Sequence, residues 1–138
     1  MRPLSRIGGL FRPHLHATAH CDLPCGVYDP AQARIEAESV KAMQQKYQDN
    51  DDPEFRMRAI MLVEERSELV KHHLWVLWTD YFKPPHFEKY PELHELVNKA
   101  TKAAGASGTK GSMDPAKGEE LLGLIAQIDK IFWETKQG

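Results

Sequence analysis

Three Asp-Pro pairs, Asp29-Pro30, Asp52-Pro53 and Asp114-Pro115, divide this chain of 138 residues. Each reads as a helix start. An aspartate carboxylate accepts from the orphan N–H groups of a first turn, and a proline, which has no N–H to satisfy, fits its first position. Gln32, three after Asp29, stands where a capping box wants it. Apolar residues then recur at helical spacing. The first helix carries Val40, Met43 and Tyr47, with Ile35 beside them. The second runs to about Thr79 with an inward stripe of Phe55, Ala59, Leu62, Arg66, Leu69, His73 and Val76, flanked by Val63, Val70, Leu74 and Leu77. Residues 80–90, rich in aromatics and prolines, read as a loop. Residues 91–104 read as a shorter helix with Leu93, Leu96, Val97 and Ala100 inward. Residues 105–112, rich in glycine and serine, read as a flexible connection. The last helix puts Leu121, Leu124, Ile125, Ile128 and Phe132 inward. Four helices with short connections predict an all-α, antiparallel four-helix bundle over residues 30–136.

Several classes fall away on composition. A net charge of −2 leaves no nucleic-acid footprint. No apolar run approaches the ~20 residues of a membrane span. Two cysteines make no disulfide framework, and two reduced thiols suit a reducing compartment or early metal loading.

Both cysteines lie in His20-Cys21-Asp22-Leu23-Pro24-Cys25-Gly26-Val27-Tyr28-Asp29-Pro30. Pro24, Gly26 and Pro30 break any regular element there. The bland readings are a local disulfide or two ordinary thiols. Zinc needs four ligands, and no second cysteine pair exists; His14 and His16 have no element to fix them. The di-iron pattern needs Glu-x-x-His, and Leu69, Val70, Lys83 and Pro91 stand where the glutamates would be. A third option uses the backbone. If the chain were cut before His20, its amine, the Cys21 amide nitrogen and the Cys21 and Cys25 thiolates would form a planar N2S2 set suited to Ni(II) or Cu(II). The His20 imidazole would remain as an axial fifth donor. A non-enzymatic metal-binding bundle and a Cys21/Cys25 thiol switch are alternatives that use the same loop.

This segment resembles the nickel hook of nickel-dependent superoxide dismutases. The likeness continues through Asp51-Asp52-Pro53, Lys71-His72-His73, the stretch from Leu77-Trp78-Thr79-Asp80-Tyr81 to Glu92-Leu93-His94, and Ala126-Gln127-Ile128-Asp129-Lys130-Ile131-Phe132-Trp133-Glu134-Thr135-Lys136. It covers nearly all of the chain after Ala19. It implies one nickel ion per subunit held by His20, Cys21 and Cys25, and dismutation of superoxide to dioxygen and hydrogen peroxide by Ni(II)/Ni(III) cycling. It implies that Tyr28 and Tyr81 stand at the open axial face, and that Glu36 and Arg66 bond to the axial imidazole. Asp22 would support the hook from outside the ligand set. Lys83 would add positive potential that draws in an anion. The resemblance also implies a homohexamer with the hook at a subunit contact.

Residues 1–19 read as a leader removed by a processing protease, which leaves residues 20–138 as the enzyme and residues 20–28 as its hook. Ala17-Thr18-Ala19 resembles a signal-peptidase site. Ile7-Gly8-Gly9-Leu10-Phe11 is too short for the roughly 7–15-residue apolar core of a secretory signal, so the expected location is cytoplasmic. His72, His73, His86 and His94 are expected in packing or on the surface rather than as ligands.

Overall fold

The computed structural model describes residues 25–138. Five helices carry the fold: α1 (Ala31–Gln48), α2 (Pro53–Val76), α3 (Pro84–Lys89), α4 (Leu93–Ala103) and α5 (Pro115–Gln137). The Asp-Pro starts are where the sequence puts them. Asp52 accepts from the Phe55 amide at 2.8 Å and Asp114 from the Ala116 amide at 2.9 Å. At α1, Asp29 accepts from the Ala31 amide at 2.8 Å, but Pro30 itself takes the cap position and Gln32 has no part in it.

The long helices form an all-helical bundle in which α1 packs on α2 and α5, and α4 closes against the same two. The core runs from Ala33 and Ala37 through Val70, Leu74, Leu93, Val97, Leu121, Ile125 and Ile128 to Phe132. Burial on α4 and α5 follows the expected stripes, apart from Leu124 at the edge. On α1 it does not. The buried face is Ala33, Ala37, Val40 and Gln44, while Ile35 is 53% exposed. Two alanines bring neighbouring backbones close, which pushes larger side chains to the rim; a reading by hydrophobicity favours the larger ones. On α2 the buried residues are Ala59, Val63, Ser67, Val70, Leu74 and Val76; Ala59 and Val76 are on the expected stripe, and the others lie on the row beside it. Phe55, Arg66, Leu69 and His73 are half-buried, and Leu62 is exposed.

Residues 105–112 are not a flexible connection. The buried Thr109 hydroxyl lies 2.7 Å from that of Ser67 in α2. Lys110 donates to Glu68 at 2.9 Å, and the Ser112 carbonyl accepts from the Gln44 side chain at 2.9 Å. A Cβ at Gly108 would sit 1.8 Å from the Ala103 carbonyl oxygen, so only glycine fits.

The expected loop at 80–90 is also mostly helical. Past Val76, α2 widens into a π-helical turn over Leu77–Tyr81, with the Phe82 amide donating to the Leu77 carbonyl at 2.9 Å. Pro84 and Pro85 then open α3. A residue before proline is driven out of the helical region, so Lys83 is extended and the chain must turn there. The His86 ring accepts from the Lys83 amide at 3.1 Å and caps the new helix.

Candidate metal centre

The described part of the cysteine segment is a turn leading into α1. Gly26 sits at φ +74°, a left-handed conformation that glycine adopts freely. That reversal lets the Val27 amide approach the Cys25 sulfur at 3.4 Å. An N–H aimed at sulfur suits an anionic donor, and Cys25 is exposed. His20, Cys21 and Asp22, named from sequence as ligands and support, lie outside the described residues, as does the expected leader.

Tyr28, three residues on, anchors this turn to the bundle. Its ring meets Tyr81 at 5.7 Å between centroids. Tyr81 in turn packs on Phe132 at 4.4 Å and stacks on His86 at 5.7 Å. The π-helical turn places Tyr81 against α5, where its hydroxyl lies 2.7 Å from Thr135 Oγ1. The structure therefore brings Tyr28, three residues after Cys25, against Tyr81, which lies far along the chain.

Two lysines flank the wall. Lys136 Nζ stands 5.1 Å from the Tyr81 ring centroid. Lys83 is exposed and donates to the Asp80 carbonyl at 3.0 Å. Lys83 was named from sequence and His86 was expected in packing, an expectation its stacking on Tyr81 meets; Lys136 and Thr135 were missed. The last two give no periodic or motif signal, because their roles come from the π turn and from packing.

Glu36 and Arg66 also meet, 3.2 Å apart between α1 and α2, the glutamate mostly buried and the arginine more exposed. An ion pair this wet contributes on the order of 0–1 kcal/mol to the fold. The other histidines are occupied elsewhere: His94 accepts from the Trp78 indole at 3.0 Å and lies flat on Phe87 at 3.9 Å. Among the described residues no three His, Cys, Asp or Glu side chains form a metal cluster.

Comparison with known proteins bears directly on this turn. Residues 15–136 match the family model of nickel-containing superoxide dismutase. A superoxide dismutase [Ni] from Streptomyces coelicolor is 68% identical over 128 residues, covering 93% of this chain and 96% of that protein. A native nickel superoxide dismutase structure superposes with a TM-score of 0.83 at 70% identity, over 86% of this chain and all of that one. A variant of that enzyme whose ninth residue, a tyrosine, is replaced by phenylalanine superposes equally well, at 69% identity over the same shares. With the helical bundle, the sulfur donor on its turn and these likenesses in hand, the chain belongs to the nickel-containing superoxide dismutases: an enzyme that dismutates superoxide with nickel as its cofactor.

Proposed function

We infer that the mature enzyme begins at His20 and holds its nickel through the His20 amine and imidazole, the Cys21 amide nitrogen and thiolate, and the Cys25 thiolate. Bound there, nickel supplies a one-electron couple that thiolate and amidate donors bring within reach of superoxide. The observation that carries the assignment is the Cys25 turn, with its sulfur exposed and its next aromatic residue packed on Tyr81. The shares covered by the solved relatives support the start at His20. The whole of each corresponds to 86% of this chain, about the length from residue 20 onward. Tyr28 is also the ninth residue from His20, the position of the tyrosine replaced in the relative's variant.

Each remaining residue has a role in this reading. Tyr28 and Tyr81 form the aromatic wall beside the hook and keep the approach narrow enough for a diatomic anion. Lys83 and Lys136 lend that wall positive potential, which raises encounter rates with an anion even though the net charge is −2. Glu36, paired with Arg66, takes the role of orienting the His20 imidazole and raising its basicity. Asp22 supports the hook from outside the ligand set. A processing protease exposes the His20 amine.

Assembly as a homohexamer suits the surface. Trp75, Trp78, Trp133, Met57 and Met61 are all at least 40% exposed, more large apolar side chain than a lone small domain ordinarily presents. No helix among the described residues is long and apolar enough to cross a membrane. A cytoplasmic enzyme, loaded where thiols stay reduced, is the location this reading favours.

The test separates bracing from folding. His20→Ala keeps the amine and both thiolates, so nickel content should hold while turnover per nickel falls steeply. Glu36→Gln and Arg66→Ala should give a milder loss, about 10–100-fold, as expected when a ligand loses its supporting hydrogen bond. If those two variants melt early yet turn over normally, the ion pair serves the fold alone.

A further inference from the structure

The contacts around Tyr81 fix the direction of its hydroxyl proton. Tyr81 Oη lies 2.7 Å from Thr135 Oγ1, and Thr135 Oγ1 lies 2.6 Å from the Phe132 carbonyl oxygen. A carbonyl can only accept, and a threonine hydroxyl has one proton to give. Thr135 therefore donates to Phe132. With that proton spent, the 2.7 Å contact requires Tyr81 to donate to Thr135. The single phenol proton is directed into the bundle, toward α5.

We propose that Thr135 is a positioning residue that holds the Tyr81 hydroxyl proton on α5, so that the wall offers a small anion no O–H donor at that point. This rests on the assignment of Tyr81 to the site. The physical reason is the cost of grip. A donor aimed at the approach path would bind superoxide and the anionic form of its product alike. Binding of that uniform kind lowers KM without raising kcat, and it slows release. Attraction by Lys136, whose ammonium stands over the same ring, acts at longer range and holds nothing in place. At Tyr81 the wall thus adds no hydrogen bond that would retain an anion.

Azide, a small linear anion, is the probe. Thr135→Val keeps the shape and removes the acceptor, so the Tyr81 hydroxyl is free to donate outward. A hydrogen bond to a charged group is worth roughly tenfold in affinity. Azide should then inhibit the nickel-loaded Thr135→Val enzyme at about a tenth of the wild-type concentration, and superoxide KM and kcat should both fall while nickel content holds. Thr135→Ser restores the acceptor and should restore wild-type inhibition. In the Tyr81→Phe background, Thr135→Val should change nothing. Equal azide inhibition of wild type and Thr135→Val would overturn the proposal, provided Tyr81→Phe alone alters inhibition or turnover. An undiminished effect of Thr135→Val in the Tyr81→Phe background would overturn it too. If Tyr81→Phe alters neither quantity, the placement of Tyr81 at the site is wrong, and the proposal falls with it.

Discussion

Two short glycine-containing stretches interrupt the helices, and they are built in opposite ways. Residues 105–112 are bound to the bundle at every step: Thr109 is buried against Ser67, Lys110 reaches Glu68, and Gly108 lies against the Ala103 carbonyl. The turn at residues 25–28 exposes Cys25, Gly26 and Val27, and its side chains reach the bundle core at Tyr28 alone. The first stretch spends its polar groups on the fold. The second leaves its sulfur facing solvent, where a ligand can use it. The stretch that exposes its sulfur is the one to search for chemistry, and glycine content by itself does not tell the two apart.

Substitutions should separate these two regions cleanly. The largest effect is expected at Cys25→Ser, which exchanges a strong sulfur donor for a weak oxygen one. Nickel content and dismutase activity should both be lost, while melting of the metal-free chain stays within about 0.5 kcal/mol, as for an exposed site. Retained nickel and activity would show that this sulfur is not a ligand. Next comes Gly108→Ala, whose new methyl meets the Ala103 carbonyl at 1.8 Å. It should cost about 1–3 kcal/mol of stability, as overpacking does, with turnover per bound nickel unchanged. Gly26→Ala is its mirror. No atom obstructs a Cβ there, but φ is +74°, a conformation that costs an alanine about 1–2 kcal/mol. The loss should appear as weaker nickel retention, with the melting of the metal-free bundle unmoved. If Gly26→Ala instead lowers melting as much as Gly108→Ala, the two stretches do not differ as described.

The smallest effect concerns pH. The hydrogen bond from Lys110 holds the Glu68 carboxyl below its ordinary value near 4.5. Its stabilisation is therefore complete above that value, and is lost as pH falls through the lower folded-state value. Glu68→Gln should flatten the acid limb of a melting-versus-pH curve below about pH 4.5, slightly, because both side chains are solvated. Turnover per nickel should not follow it.

Much of this was legible in the residues. The Asp-Pro pairs mark three helix starts because a cap and a first-turn proline are local chemistry. The hook can be proposed from the residues alone because its candidate donors lie within six positions, His20 to Cys25. The burial of α1 was misread because close helix packing selects Ala33 and Ala37 by size, and size matters only against neighbours distant in sequence. The π-helical turn was missed for a related reason: it is imposed by Pro84 and by the packing of Tyr81 on Phe132, and leaves no periodicity of its own. Thr135 could be recognised only once that turn had placed a tyrosine against it. The Gly105-Ala106-Ser107-Gly108 run reads as a linker by composition, yet Gly108 is there because a backbone carbonyl occupies the space of a side chain.

The account turns on the amine at His20, and one comparison tests it directly. Nickel per subunit and superoxide turnover should be measured for a chain beginning at His20 and for the same chain with Ala19 still attached, with N-termini verified by mass. An attached Ala19 makes the first nitrogen donor an amide and removes the free amine from the hook. The chain beginning at His20 should bind one nickel and be active, and the Ala19-extended chain should bind nickel weakly and be inactive. Equal nickel content and full turnover in the extended chain would contradict the account.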